Sequence, residues 1–553
     1  MYLLNGKAGR LGLLAAAVLL SAVPLPGSAA EDFVLAAKQR DADTIKQLIQ
    51  DKTDVNSTLA DGSTALAWAV YNNDTSMVQT LIGAGAGPSL ANEYGVSPLH
   101  LACSNQNAEL LSILLKAKAD PNAAKWSGET VLMTCANTGV VEGVKELLAS
   151  GANPNLKEAR QDQTALMWAA AENHPAVVKA LIEGGADVKA KSRLVAAREP
   201  FIVKVPSSFG QNFPKTVRFR KQSGGFSPLM FAAQKGGVET GRLLIEAGAE
   251  VNYATTEEGS ALVVATAAGH QEFALLLLDN GADPNIKDGW GVRPLHYAIH
   301  EGVLILNGYA HTSTGHLGWE RRNMPELVEA LIDAGADPEA RIESSYSFLD
   351  NKFIRGNEDP PQIDIIGATP LLLAAASGDT TSMRILVEKG QANKKAKTDS
   401  GATLFMLATG SGAEMGVRDE KKALEAAKLA LAMGDVDVNS QLTNDDAVHG
   451  PGTGKIDGRT AAHFASYHGW KDMIKFLAEN GANLDVADRY GQTPLMIAMG
   501  DPEARYYRNI PVGRYDDRYR RPSNNPNKAV IETLLKSGST PYSGTIVDKG
   551  SVN

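Results

Sequence analysis

A five-residue phrase recurs along the chain every 33 or 34 residues wherever no insertion intervenes, and this period constrains the fold more than any other feature. The phrase Gly-x-Ser/Thr-x-Leu begins at Gly62, Gly95 and Gly128. It continues, with substitutions, at Asp162, Gly225, Glu258, Gly291, Gly367, Gly401, Gly458 and Gly491. A period in this range predicts stacked copies of one supersecondary unit that share a continuous core.

A second phrase follows the first within each period: a Leu-Leu or Leu-Ile pair, two residues, then Gly-Ala-Asp/Asn. Clear copies run over 147–155 and 277–285, and a weaker copy at 48–56 lacks the preceding phrase. These phrases predict twelve units, of which the first acts as an N-terminal cap.

The repeated residues have physical roles that predict two short helices per unit. Thr64 and its counterparts can accept a hydrogen bond from an orphan backbone N–H, and Pro98 and its counterparts suit the first helical turn. Gly151 and its counterparts can adopt the left-handed conformation after the second helix. Because helices this short are marginal in water, each unit must bury its apolar side against its neighbours.

The pattern Gly-x-Thr-Pro-Leu-His-x-Ala-Ala, followed by Leu-Leu-x-x-Gly-Ala-Asp-x-Asn, resembles the ankyrin repeat over residues 31–540. The resemblance implies an all-α solenoid of about twelve helix-turn-helix units, whose inner helices and loops form a concave face that binds proteins. The histidine of the pattern is present as His100, His296 and His463 but is methionine in several other units. This exchange for an apolar residue indicates that the histidines have no chemical role.

Residues 1–30 resemble a secretory signal, with Lys7 and Arg10 before an apolar run and small residues before a cleavage point after Ala30. An uncleaved anchor is the alternative. We therefore expect an exported protein, periplasmic or secreted and of bacterial periplasmic type, with no membrane span after cleavage and a C-terminal tail at 541–553. The formal net charge of −9 argues against nucleic acid as the partner.

The chain has two cysteines, Cys103 and Cys135, one position out of register in adjacent units. Packed helices lie about 8 to 10 Å apart, beyond the roughly 7 Å that a disulfide can span. We therefore expect two buried thiols and no disulfide.

Insertions interrupt the period and are candidates for recognition, because folding does not require them. They lie at about 193–224, 301–324, 342–366, 410–420, 440–457 and 500–527. The first and last combine arginines with aromatic residues, which are enriched in binding sites. The candidate partner-binding residues are Arg193, Arg198, Phe201, Phe209, Phe213, Arg218, Phe219, Arg220, Tyr506, Tyr507, Arg508, Arg514, Tyr515, Arg518 and Tyr519. Alternatively, the first insertion packs on the acidic flank of its own solenoid, and the last insertion is a solvated or disordered loop.

Motifs for catalysis are incomplete. The run at 450–455 lacks the first glycine and the hydroxyl residue of a phosphate-binding loop. A metal site built from His296, His300, His311 and His316 would compete with the structural role of His296. Trp68 and Trp168 share one repeat position and are interpreted as core. We expect no catalytic site, cofactor or metal, and a protein partner of unknown identity. The alternative function is an effector or envelope protein that binds polyanions through its Arg-rich loops.

Overall fold

The computed structural model describes residues 29–196, 201–206, 212–217, 222–299, 301, 322–343, 366–411, 419–434, 436–443, 458–488, 491–499 and 527–541, with backbone alone at 196, 201–206, 212–217 and 222–223. These residues form 24 α-helices, which follow one another as twelve pairs and confirm the predicted all-α repeat solenoid. On a larger scale than the single repeat, the chain divides into two compact parts, called the first and the second unit from here on. The first unit is residues 1–152 with four helix pairs, and the second is residues 153–553 with eight.

In the first unit the helices are α1 Ala29–Gln39, α2 Ala42–Gln50, α3 Ala65–Tyr71, α4 Thr75–Gly83, α5 Pro98–Ser104, α6 Ala108–Lys116, α7 Val131–Thr138 and α8 Val141–Ala149. In the second they are α9 Ala165–Glu172, α10 Pro175–Glu183, α11 Pro228–Lys235, α12 Val238–Glu246, α13 Ala261–Ala268, α14 Gln271–Asp279, α15 Pro294–Ala298, α16 Pro325–Asp333, α17 Pro370–Ser377, α18 Thr380–Arg384, α19 Leu404–Ala408, α20 Glu420–Ala432, α21 Ala461–His468, α22 Lys471–Glu479, α23 Pro494–Ala498 and α24 Lys528–Lys536. Helix α18 continues as a π-helical turn over Ile385–Lys389.

Several helices begin at the threonines that the sequence predicts as capping residues. The Thr64 hydroxyl accepts from the Ala67 N–H, and the Thr369 hydroxyl accepts from the Leu372 N–H. Within each unit most first helices of successive pairs pack on one another in one row, and most second helices pack in another. The repeated leucines, such as Leu66 and Leu99, are buried between them, and each burial contributes about 1.5 to 3 kcal/mol.

The three repeat histidines are structural, as the sequence indicated. In each, Nδ1 accepts a backbone N–H at the start of the helix, and Nε2 then donates to a carbonyl of the following repeat. The Nε2 of His296 lies 3.0 Å from the Ala340 oxygen. Both nitrogens are therefore occupied, and burial lowers the pKa of His100, His296 and His463 to about 4. Met133 takes the same place, with its sulfur accepting from the Thr130 N–H.

The two cysteines are bonded to each other, so the expectation of two free thiols was wrong. Cys103 on α5 and Cys135 on α7 form a disulfide with their Cα atoms 4.8 Å apart, and both are fully buried. The distance of 8 to 10 Å applies to helix axes, and each Cα lies about 2.3 Å off its axis. Facing Cα atoms of adjacent first helices therefore come within disulfide range.

The insertion after α10 contains strands where the sequence suggested an extended loop. Strand β1 Leu194–Ala196 pairs with β4 Gln222–Gly224, and β2 Phe201–Pro206 pairs with β3 Asn212–Val217, both antiparallel. A third small pair joins β5 Ala254–Thr255 to β6 Gly259–Ser260. Among the helices in the described ranges, none combines the length and the apolar character needed to cross a bilayer.

Candidate functional site

Three of the candidate binding residues from the sequence fall on described backbone. Arg193 forms a two-pronged ion pair with Asp162, its Nη2 and Nε lying 2.7 and 3.1 Å from the carboxylate oxygens. This guanidinium therefore already has a partner within the chain. Phe201 pairs with Val217 across the β2–β3 hairpin, and Phe213 pairs with Val205. Outside the described residues lie Arg198, Phe209, Arg218, Phe219, Arg220, Tyr506, Tyr507, Arg508, Arg514, Tyr515, Arg518 and Tyr519, together with His300, His311, His316 and the run at 450–455.

In the first unit, three loops between helix pairs form closely similar turns, which we call fingers 1, 2 and 3 (residues 51–64, 84–97 and 117–130). In finger 2 the Gly95 N–H donates to the Asn92 carbonyl, and in finger 3 the Gly128 N–H donates to the Lys125 carbonyl. Gly95 has φ +75°, and a Cβ there would lie 2.9 Å from the Ala124 oxygen. Only glycine satisfies both the left-handed backbone and the close approach of the next finger.

The tips of these fingers are joined by backbone hydrogen bonds. The Glu93 N–H donates to the Asp61 carbonyl at 3.0 Å, and the Trp126 N–H donates to the Tyr94 carbonyl at 3.2 Å. The side chains of Tyr94 and Trp126 are nevertheless 59% and 79% exposed. The turns thus hold two large aromatic side chains in water on a backbone fixed by neighbouring turns.

A second aromatic pair lies on helix α3. The rings of Trp68 and Tyr71 meet edge to face at 5.4 Å, and Tyr71 is 58% exposed. The ammonium of Lys38 lies 4.5 Å from the centre of the Trp68 ring. The Asn105 amide donates to the Val70 carbonyl at 2.8 Å and so ties the end of α3 to α5.

A chain of contacts connects the helical pair to the fingertips. The Trp68 indole N–H donates to the Ser63 hydroxyl at 3.1 Å, and that hydroxyl donates to the Asp61 carboxylate at 2.6 Å. Hydrogen bonds from Ser63 lower the pKa of Asp61 below its ordinary value, so the carboxylate is ionised at neutral pH. We call the surface formed by Asp61, Trp68, Tyr71, Glu93, Tyr94 and Trp126 the aromatic face.

The resemblance implied a concave binding face of inner helices and loops, but the candidate binding residues were taken from the insertions, and none of the six residues of the aromatic face was among them. Trp68, predicted to be core, is only partly buried. The usable signal in the sequence was an aromatic residue in the turn, one or two residues before the repeat glycine, as at Tyr94 and Trp126. Folding of such a turn does not require an apolar side chain there. In the second unit a tryptophan at a fingertip, Trp290, is covered and only 9% exposed.

Comparison with known families agrees with this architecture. A family model described as ankyrin repeats (3 copies) matches residues 33–125, 119–192, 211–288, 229–312 and 415–505, more than half of the chain. The chain belongs to the ankyrin-repeat family. In this ankyrin-repeat protein, each finger begins at the positions of the Gly-Ala-Asp/Asn phrase, as at Gly85 and Ala86 in finger 2, and ends at the first helix of the next repeat.

Three related curated proteins, each from a eukaryote, share limited stretches with this ankyrin-repeat chain. A probable E3 ubiquitin-protein ligase of rice, XBOS32, is 26% identical over 39% of this chain and 42% of its own length. The ankyrin repeat and KH domain-containing protein mask of Drosophila melanogaster is 44% identical over 13% of this chain and 2% of its own. Protein glp-1 of Caenorhabditis elegans is 26% identical over 46% of this chain and 13% of its own length. The chain spans less than half the length of each of these relatives.

Proposed function

We propose that this protein is an exported ankyrin-repeat scaffold of bacterial periplasmic type, which binds a protein partner through the aromatic face and the inserted loops. The observation that carries the proposal is the exposure of Tyr71, Tyr94 and Trp126 on a hydrogen-bonded framework. Tyrosine and tryptophan held rigidly in solvent are the side chains that most often dominate the free energy of protein binding. Ankyrin repeats themselves imply a scaffold for protein interaction.

Export is supported by the resemblance of residues 1–30 to a signal peptide and by the bond between Cys103 and Cys135. Disulfides persist in oxidising compartments and are rare in the cytosol. Export predicts that the protein isolated from its native cells begins at Glu31 and is lighter than its reduced form by two hydrogen atoms. Intact-mass spectrometry measures both; a full-length, reduced protein would contradict export.

Ubiquitin ligation appears in the name of the rice relative, but that activity is not proposed for this chain. The rice protein is matched over 42% of its length at 26% identity, and the family model that matches this chain describes ankyrin repeats alone. We therefore propose a binding role without catalysis.

The binding role is tested by affinity capture of tagged protein from its native cells, followed by mass spectrometry of co-purifying proteins. The double variant Tyr94→Ala/Trp126→Ala removes the fingertip aromatics, whereas Leu535→Ala removes an exposed apolar side chain of α24 as a control. We expect the partner to be lost from the double variant and retained by the control. Capture that is unaffected by the double variant would overturn the assignment of the aromatic face.

The inserted loops are tested with a second variant, in which residues 197–221 are replaced by a short turn. Arg193 and its ion pair with Asp162 are kept, so that the base of the insertion is preserved. If the first insertion contributes to binding, capture is reduced while the circular dichroism of the helices stays the same. Full capture would show that the first insertion is dispensable.

A further inference from the structure

The electrostatic character of the aromatic face is negative. Residues 29–152 contain fourteen acidic and eight basic residues. Two cations near this face are already engaged, since Lys38 lies over Trp68 and the Lys125 ammonium is 2.7 Å from the Glu129 carboxylate. The exposed carboxylates of Asp61 and Glu93 stand beside the exposed rings, so the surface offers negative charge and aromatic faces together.

The spacing of the fingers adds a geometric constraint. Asp61, the Glu93–Tyr94 pair and Trp126 occupy the tips of three successive fingers, which their backbone hydrogen bonds hold side by side. Layers of packed helices repeat at about 8 to 10 Å. A polyproline II segment has three residues per turn and rises about 3.1 Å per residue, so every third side chain projects to one side at about 9 Å intervals.

We propose that the aromatic face binds an extended, basic segment of a partner protein with a lysine or arginine at every third position. This inference rests on the proposed binding function and names the chemistry of the partner. Successive cations would lie against Asp61, between Glu93 and Tyr94, and over Trp126. The placement of Lys38 over Trp68 is the same kind of contact made within the chain. Cations over aromatic rings contribute about 0.5 to 1 kcal/mol each at exposed sites.

The probe is a fluorescein-labelled twelve-residue peptide with arginine at every third position and alanine or proline between. One control peptide has the same composition with its arginines adjacent, and another carries glutamate in place of arginine. Fluorescence anisotropy with the mature chain is expected to show binding of the spaced arginine peptide, weaker binding of the clustered one and none of the acidic one. Binding of the spaced peptide should weaken as salt increases.

Matched variants assign the binding to the aromatic face. Trp126→Ala is expected to weaken binding of the spaced peptide about fivefold and Glu93→Gln about threefold, in line with exposed cation–π and ion-pair contacts. Glu109→Gln, an exposed carboxylate on the second helix α6 of the same unit, is expected to leave it unchanged. The unfolding temperatures of the variants, measured in parallel, must match that of the wild type. If Trp126→Ala lowers the unfolding temperature, the binding measurement is made with Trp126→Leu in place of Trp126→Ala.

Three results would overturn the inference. The first is that the spaced peptide does not bind at concentrations up to about 1 mM, or that Glu109→Gln weakens its binding as much as the variants of the aromatic face do. The second is self-association that depends on Trp126 in sedimentation velocity, which would place a second copy on the face. The third is Trp126-dependent binding of heparin or of chitotetraose, which would make the ligand a polyanion or a glycan. A native partner that still requires Tyr94 and Trp126 would leave the binding function intact while the inference fails.

Discussion

At the scale of single residues, the same position carries different groups in different repeats, and the structure explains each exchange. Asn92 in finger 2 accepts from the N–H groups of Tyr94 and Val96 through one oxygen. Asp288 in the second unit makes the same two bonds, to Trp290 and Val292, and also accepts from the Tyr297 hydroxyl at 2.6 Å. Burial there raises the pKa of Asp288 to about 6.

The raised pKa of Asp288 predicts a pH-dependent gain from the substitution Asp288→Asn. The folded protein binds a proton at Asp288 more tightly than the unfolded chain, whose pKa is 3.8, so stability falls as pH rises from about 4 to about 6. Asparagine avoids the buried charge, as at Asn92. We expect Asp288→Asn to raise the unfolding free energy by about 3 kcal/mol at pH 7.5 and by much less at pH 4. Equal effects at both values, in thermal melts, would contradict this.

The buried histidines predict that stability changes with pH in the opposite direction. Because the folded pKa of His100 is about 4 and its ordinary value is 6.5, the stability that it contributes is complete above pH 6.5 and is lost as pH falls toward 4. In the variant His100→Met, which copies the residue at Met133, we expect the loss between pH 7 and 4 to be smaller than in the wild type by about 3 kcal/mol. Denaturant unfolding at both pH values measures the difference; parallel losses would show that His100 does not titrate in this range.

At the scale of elements, the sequence predicted the helix pairs well because short-range chemistry determines them. Thr64, Pro98 and their counterparts mark helix starts, and the repeated leucines mark the buried side. The pattern could not predict the disulfide, since whether Cys103 and Cys135 meet depends on the facing distance between α5 and α7. It also could not predict which fingertip side chains are covered, because Tyr94 and Trp290 each stand directly before the glycine of their repeat, yet Tyr94 is 59% exposed and Trp290 only 9%.

The disulfide between α5 and α7 should stabilise the first unit. It closes a loop with a sequence separation of 32 residues, for which loss of chain entropy in the unfolded state corresponds to about 3 to 4 kcal/mol. We expect the double variant Cys103→Ala/Cys135→Ala to unfold at lower temperature than the wild type without reductant. Dithiothreitol should remove most of this difference. Identical melting of variant and wild type without reductant would exclude a stabilising bond.

Gly95 in finger 2 and Gly151 after helix α8 separate the effect of backbone conformation on stability from the effect of crowding. Gly95 and Gly151 both have positive φ, but a Cβ meets the next finger only at Gly95, and at Gly151 it meets nothing within 4 Å. We expect Gly151→Ala to cost about 1 to 2 kcal/mol of stability from the left-handed conformation and Gly95→Ala to cost more. Denaturant titrations compare them, and a smaller cost at Gly95 would mean that the fingers separate easily.

At the scale of the whole molecule, the repeat pattern predicted the class of fold and the number of helix pairs, whereas the residues proposed to bind a partner were identified from side-chain exposure. The insertions drew attention because they break the period, yet Arg193 is engaged by Asp162, and most of the other candidate residues lie outside the described ranges. The regular part of the first unit carries the exposed aromatic residues. A sequence reveals where a repeat departs from its pattern more readily than where a regular position is left uncovered.

In the proposed function, partners bind across the fingertips of the first unit. Hydrogen–deuterium exchange of the mature chain, with and without a partner obtained by affinity capture, tests it directly. We expect the partner to slow exchange in peptides that cover residues 58–64, 91–96 and 124–130, with little change on helices α6 and α8. Protection confined to the second unit, with none at the three fingers, would contradict it.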